Sequence, residues 1–285
     1  KPHAEKDMDR LKKLAQDLDG ITDLQSYDTA YYAEILKKKE LSMDDEMLRP
    51  YFKLENVVDG LFKVAGKLYG LKFSEVTNVP KYHPDVRTFE VHDEETNKFV
   101  GLFYTDFFPR ATKRGGAWMS GIKDQGMLHG QIERPHIMIV CNFTKPTKTK
   151  PSLLTLDEVL TMFHEFGHGL QHMLTTVDEP EAAGINNVEW DAVELPSQFM
   201  ENWCLDHSTL MGMARHWQTG EPLPEADYRK LRSSRTFMQG NGTLRQVHFA
   251  LTDLRLHSQW SPELGISPDA FRRRIAETTS VLPPI

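Results

Sequence analysis

His164, Glu165 and His168 stand at the spacing HExxH, in the run His164-Glu165-Phe166-Gly167-His168. On an α-helix, positions i and i+4 fall about 40° apart, so the two imidazoles can converge on one metal ion. Glu165 lies beside them. A carboxylate there is within reach of a water polarised by the metal and can take its proton as the oxygen attacks a carbonyl carbon, the chemistry of a zinc hydrolase. Two solvated histidines on a surface helix are the plainer reading, and the flanks argue against it. Leu156, Val159, Leu160, Phe163, Gly167, Leu170 and Leu174 recur at helical spacing, so His and Glu sit on or beside an apolar stripe, where burial without a partner is costly.

A three-ligand site needs one more His, Asp or Glu. Glu189, Asp191, Glu194, Glu201 and Asp206 are available in one stretch. Glu194 leads, because it opens a helical run in which Pro196 suits the first turn. Glu201 follows seven residues on, two turns later on the same face, so one of the pair can bind metal while the other hydrogen-bonds a ligand histidine. A solvated helix residue is the equal alternative for Glu201. Asp157, seven residues before His164, is either another such partner or compensation of the helix dipole, and the second is favoured. His172 continues the ladder too far along to complete the site and is read as marking a polar edge.

The metal helix should span about 156–174, with Thr155 as its cap and Glu158 closing a capping box. Upstream, apolar periodicity predicts helices over about 2–18, 28–38 and 54–69, with Ser42-Met43-Asp44-Asp45 opening a short one between. Near residue 86 the period changes to two. Segments 88–92 and 98–106 flank Asp93-Glu94-Glu95-Thr96-Asn97 as a hairpin, and 134–143 is a further strand, giving a small antiparallel sheet. An edge strand beside the metal helix can hold an extended peptide by its backbone, and Ile137, Ile139 and Cys141 are the candidates for that edge, an interior strand being the alternative. The glycine-rich 115–130 reads as a loop lining a cleft, and 175–188 as a mobile loop. Helices are expected over about 210–217, 226–238, 243–259 and 268–280. Gln239-Gly240-Asn241-Gly242 reads as a mobile turn, and Pro283-Pro284 as an extended end.

The formal charge of −7, without a dominant basic patch, argues against nucleic acid as a partner. No run approaches the ~18 apolar residues of a membrane span, and no signal-peptide pattern opens the chain. Cys141 and Cys204 cannot build a disulfide framework and read as small hydrophobes. A cytoplasmic location is expected, with the lumen of a mitochondrion or plastid open.

Phe163 to Gly169, then Ala183-Gly184-Ile185-Asn186, then Glu194-Leu195-Pro196-Ser197-Gln198 with Glu201-Asn202-Trp203, form an ordered set of motifs. Upstream stand Tyr104 with Pro109-Arg110, Lys113-Arg114-Gly115-Gly116-Ala117-Trp118, and Cys141-Asn142-Phe143. Together these resemble the thimet oligopeptidase family of zinc peptidases over most of the chain. The resemblance implies a mainly α-helical (α+β), zincin-like core with a small antiparallel sheet beside the metal helix. It implies one zinc ion on His164, His168 and Glu194, Glu165 as general base, and short oligopeptides as substrates in a deep channel. It also implies partners in the amino- and carboxy-terminal parts of the same enzyme, the latter bringing a histidine and tyrosines to the developing oxyanion, without which this stretch should cleave poorly. The expected organisation is a helical region 1–80, a sheet with glycine-rich loop 81–148 and metal-site helices 149–285, together one incomplete catalytic domain. The competing functional reading is a non-catalytic, zinc-stabilised fragment or peptide-binding module.

Overall fold

A computed structural model describes residues 1–42 and 45–282. The chain is mainly α with a small mixed sheet, and it divides into two compact units, Lys1–Asp44 with Glu225–Ile285, and Asp45–Pro224. No helix among the described residues is long and apolar enough to cross a membrane.

The first unit is helical: α1 (Pro2–Asp19) and α2 (Thr29–Leu41) from the start of the chain, and three helices from its end. Met8, Leu11, Leu14 and Ala15 of α1 meet Tyr32 and Leu36 of α2 in an apolar core. The short helix expected from Ser42 falls partly on residues outside the described ones, as does the end at Pro283-Pro284.

The second unit carries the motifs. After α3 (Asp45–Leu48) and α4 (Leu54–Tyr69), Gly70 at φ 63° ends the helix in the left-handed region that favours glycine. Strands β1 (Leu71–Val76), β2 (Arg87–Asp93) and β3 (Phe99–Asp106) follow, then β4 (Trp118–Lys123), the small hairpin β5 (Gly126–Leu128) and β6 (Gln131–Glu133), and β7 (His136–Val140). Helices α5 (Leu156–Met173), α6 (Leu195–Glu201) and α7 (His207–Met213) complete it. The first unit then closes with α8 (Glu225–Ser234), α9 (Gln239–Gln259) and α10 (Pro268–Thr279).

The main sheet has the order β1-β2-β3-β7-β4, and it corrects the antiparallel expectation, because β7 pairs parallel with β3. The reason lies in the path. β4 takes the chain back against the direction of β3, so the return strand β7 runs with β3 and slots between the two. Its interior place also overturns the expected edge: Ile137, Ile139 and Cys141 are buried in the core and line no open strand. The edge beyond β7 is β4, which lies in the segment read as a glycine-rich loop. Low β-branched content and Gly121 hid it from periodicity.

Helix α5 packs on the inner face of the sheet, where a Cβ at Gly169 would come 2.5 Å from Ile137 Cδ1. Phe166 stands 5.4 Å from Phe103 and 5.9 Å from Phe73, ring centre to ring centre, and Phe62 of α4 stacks on Phe73 at 4.1 Å. Burying such rings contributes roughly 1.5–3 kcal/mol each and fixes how α5 is turned.

The expected mobile turn at Gln239 to Gly242 is corrected too, since these residues form the first turn of α9. Gly240 serves close approach: a Cβ there would lie 2.7 Å from the Ala4 nitrogen of α1.

Candidate metal centre

Thr155 Oγ1 accepts the Glu158 N–H at 3.1 Å, and the Glu158 carboxylate accepts the Thr155 N–H at 2.8 Å, so the expected capping box starts α5. At the other end the Arg134 guanidinium donates to the carbonyl of Met173 (2.7 Å), one of those the helix leaves without internal partners, and to that of Thr175 just beyond it (3.0 Å). The same guanidinium donates to Gln125 Oε1 and the Val100 carbonyl, tying the helix end to the sheet.

Helices α5 and α6 touch at Gly167. A Cβ there would come 2.6 Å from Ser197 Cα and strike the Pro196 carbonyl, so only glycine allows this approach. It brings Glu194, the N-cap of α6, over the two histidines. Glu194 Oε2 lies 3.1 Å from His164 Nε2 and 3.2 Å from His168 Nε2. Ser197 donates to the same carboxylate at 2.7 Å, and that bond, with the histidines nearby, holds Glu194 below the usual carboxylate range against the effect of burial.

His164 Nδ1 lies 2.7 Å from Glu201 Oε1. An ionised carboxylate only accepts, so Nδ1 carries the ring proton, and in the neutral ring Nε2 presents a lone pair. That lone pair faces a second carboxylate oxygen. Two lone pairs at 3.1 Å repel unless a cation, either an added proton or a metal ion, lies between them. His168 brings a third donor to the same point; burial holds this imidazole below its usual pKa, despite Glu194, and therefore favours its neutral, ligating form.

The spacing offers an independent test. Two ligands each ~2.0–2.1 Å from a tetrahedral zinc ion are roughly 3.3 Å apart. The donor set of two imidazole nitrogens and one carboxylate oxygen fits a zinc ion in kind and in spacing, and all three ligand atoms lie within 4.8 Å of one another. His168 Nδ1, by contrast with His164 Nδ1, is buried with no hydrogen-bond partner among the described residues.

Glu165 is 8% exposed, and burial, reinforced by the charge of Glu194, raises its carboxyl above the usual range, against the pull of His164 and the Met119 N–H. That N–H belongs to β4, so the edge strand runs beside the carboxylate. β4 is itself braced. Lys113, in the loop leading to it, donates to the Asp106 carbonyl and carboxylate and to the Phe108 carbonyl at 2.8–3.0 Å. Asn142 donates to the carbonyls of Arg114 and Gly116.

Among the residues singled out from sequence, His164, Glu165, His168, Glu194 and Glu201 come together. Asp157 is exposed on the first turn of α5, away from His164, whose partner is Glu201. Glu189 and Asp191 are exposed, and Asp206 caps α7. Burial pushes the Cys141 thiol up, leaving it a packing residue. His172 is corrected most sharply. It is 1% exposed rather than on a polar edge. It lies about 160° round the helix from the Leu156–Leu174 stripe, so the period gave no sign of this burial.

Residues 1–280 match Peptidase family M3. The chain is 43% identical over 284 residues to oligopeptidase A of Escherichia coli, covering 99% of this chain and 42% of that protein. It is 44% identical over 291 residues to the organellar oligopeptidase A of Arabidopsis thaliana, covering 99% and 36%. Against saccharolysin of Saccharomyces cerevisiae it is 35% identical over 258 residues, covering 87% and 36%. The chain therefore spans well under half the length of these relatives. With the HExxH helix, the carboxylate-bearing helix α6 and the match over residues 1–280 in agreement, the chain belongs to peptidase family M3.

Proposed function

We propose that this chain carries the zinc-dependent, peptide-hydrolysing centre of an endo-oligopeptidase. The observation that carries the proposal is the meeting of His164, His168 and Glu194 at one point with the buried Glu165 alongside. His164 and His168 would hold the ion through Nε2 and Glu194 through Oε2. A zinc ion bound there supplies Lewis acidity, acidifying a water and polarising a peptide carbonyl.

The chain's own residues do the rest. Glu165, made more basic by burial, accepts a proton from the attacking water and returns it to the leaving amine nitrogen, so the C–N bond breaks to a carboxylic acid and an amine. Glu201 keeps the His164 proton on Nδ1. Glu194 is held in place by Ser197. No strand among the described residues pairs with the outer edge of β4, and an extended substrate can add there by backbone hydrogen bonds. Such recognition reads backbone rather than sequence and suits the short oligopeptides that the relatives' names indicate. Relatives include cytosolic and organellar proteins, which supports a cytoplasmic or organellar location.

The test is zinc content together with cleavage of a quenched peptide, for the chain and for its Glu165→Gln form. Zinc binding with cleavage that Glu165→Gln abolishes supports the proposal. Stoichiometric zinc without turnover, even in a longer protein containing this chain, supports a non-catalytic zinc-stabilised module instead.

A further inference from the structure

We infer that His172 is a positioning residue that fastens the loop delivering Glu194 to the metal helix, and thereby sets metal affinity. The inference rests on the zinc reading above. His172 stands one turn beyond His168 on α5, and its Nδ1 accepts the Ile185 N–H at 3.2 Å. The loop backbone lies flush on the ring. Gly184 has φ 65°, and a Cβ there would come 2.5 Å from His172 Nδ1 and 2.8 Å from its Cα, so both conformation and space require glycine. Gln171 adds a second hold, donating to the Gly184 carbonyl at 3.3 Å.

The opposite side of the ring meets the edge strand. A Cβ on Gly121 of β4 would lie 3.1 Å from His172 Nε2, and Asp124 Oδ1 approaches the same nitrogen at 3.2 Å. With Nδ1 accepting from Ile185, the ring proton sits on Nε2 and faces the Asp124 carboxylate, so the Nδ1 contact is the one the ring makes to the loop. From Ile185 the chain passes through tight turns, Ala192 and Val193 both bonding back to the Glu189 carbonyl, and arrives at Glu194. Fixing Gly184-Ile185 on α5 shortens the free path over which Glu194 must find the two histidines. A ligand presented by an unfastened loop loses that preorganisation.

The chemistry separates a directional role from packing alone. Asparagine at 172 places its Oδ1 near the Nδ1 position and can accept the Ile185 N–H; phenylalanine fills the space with no acceptor. Zinc affinity is measured by chelator competition, and amide exchange is followed at Ile185, for the native chain, His172→Asn, His172→Phe and Gly184→Ala. The last displaces the loop without altering the imidazole. The expected result is a roughly 10–100-fold loss of zinc affinity in His172→Phe and Gly184→Ala, with Ile185 exchanging at least about tenfold faster, and recovery of most of both losses in His172→Asn. Native affinity in His172→Phe, or His172→Asn as weak as His172→Phe, would overturn the inference. If the native chain binds no zinc the reading of the metal centre fails, while protection of Ile185 across the same variants still decides whether His172 fastens the loop.

Discussion

Glu201 Oε1 lies 2.7 Å from His164 Nδ1, while the other nitrogen of the same ring faces Glu194 at 3.1 Å. One imidazole thus stands between two carboxylates contributed by the same short helix, one fixing the proton and the other sharing the point where a metal ion fits. The two glutamates have different jobs although they sit on one face of α6.

Glu194→Ala is expected to lose zinc affinity far more than Glu189→Ala or Asp191→Ala, whose side chains are exposed and outside the cluster. Glu201→Ala should fall between them, with a loss of roughly 10–100-fold, because it frees the His164 ring without removing a ligand. Isothermal titration of the four variants checks the order, and zinc binding that survives Glu194→Ala would place the third ligand elsewhere.

Glu165→Gln keeps the shape of the side chain and removes the base. Peptide hydrolysis by a competent enzyme should drop by about 10²–10⁴-fold while zinc stays bound. Near-native turnover in that variant would rule out Glu165 as the base.

Gly167→Ala should separate α5 from α6, since its methyl would strike Pro196 and Ser197 backbone. Overpacking of this kind costs roughly 1–3 kcal/mol, and here it should also weaken zinc binding by withdrawing Glu194. Denaturant unfolding and a zinc titration on the same sample measure both effects. A variant with unchanged zinc affinity would mean that the close crossing does not position the ligand.

Burial pushes the Asp106 carboxyl up, but hydrogen bonds from Tyr82, Lys113 and Arg110 outweigh it and hold it below the usual range. A carboxyl whose folded pKa lies below its unfolded value of ~3.9 adds stability that is present above that value and is lost as pH falls through the folded pKa. Acid unfolding should therefore be shallower in Asp106→Asn than in the native protein. At neutral pH the same substitution leaves the buried Lys113 ammonium without its counter-charge and should cost about 3–5 kcal/mol. Urea midpoints across pH 3–7 for the two proteins give the comparison, and parallel curves would remove Asp106 from the acid response.

Periodicity and local chemistry made α5 readable. Its apolar stripe, its Thr155–Glu158 cap and its HExxH spacing are all properties of neighbours within a few residues, and a helix turns such spacing directly into a shared face. Glu194 was readable as the leading candidate for a third ligand for the same local reason, through Pro196 and the seven-residue step to Glu201. Strand order was not. Whether 136–140 is an edge or an interior strand depends on β4 pairing from a glycine-containing segment with little β signal, a long-range choice with no local trace. His172 shows the same limit on the metal helix itself. Spacing put it in line with His164 and His168, but whether that line ended in solvent or in the core was settled by Gly184 and Gly121, far apart in sequence, closing on the ring from both sides. Residue types and spacing determined which groups could do chemistry. Tertiary packing decided which of them meet, because contacts between distant segments depend on shapes that no local window contains.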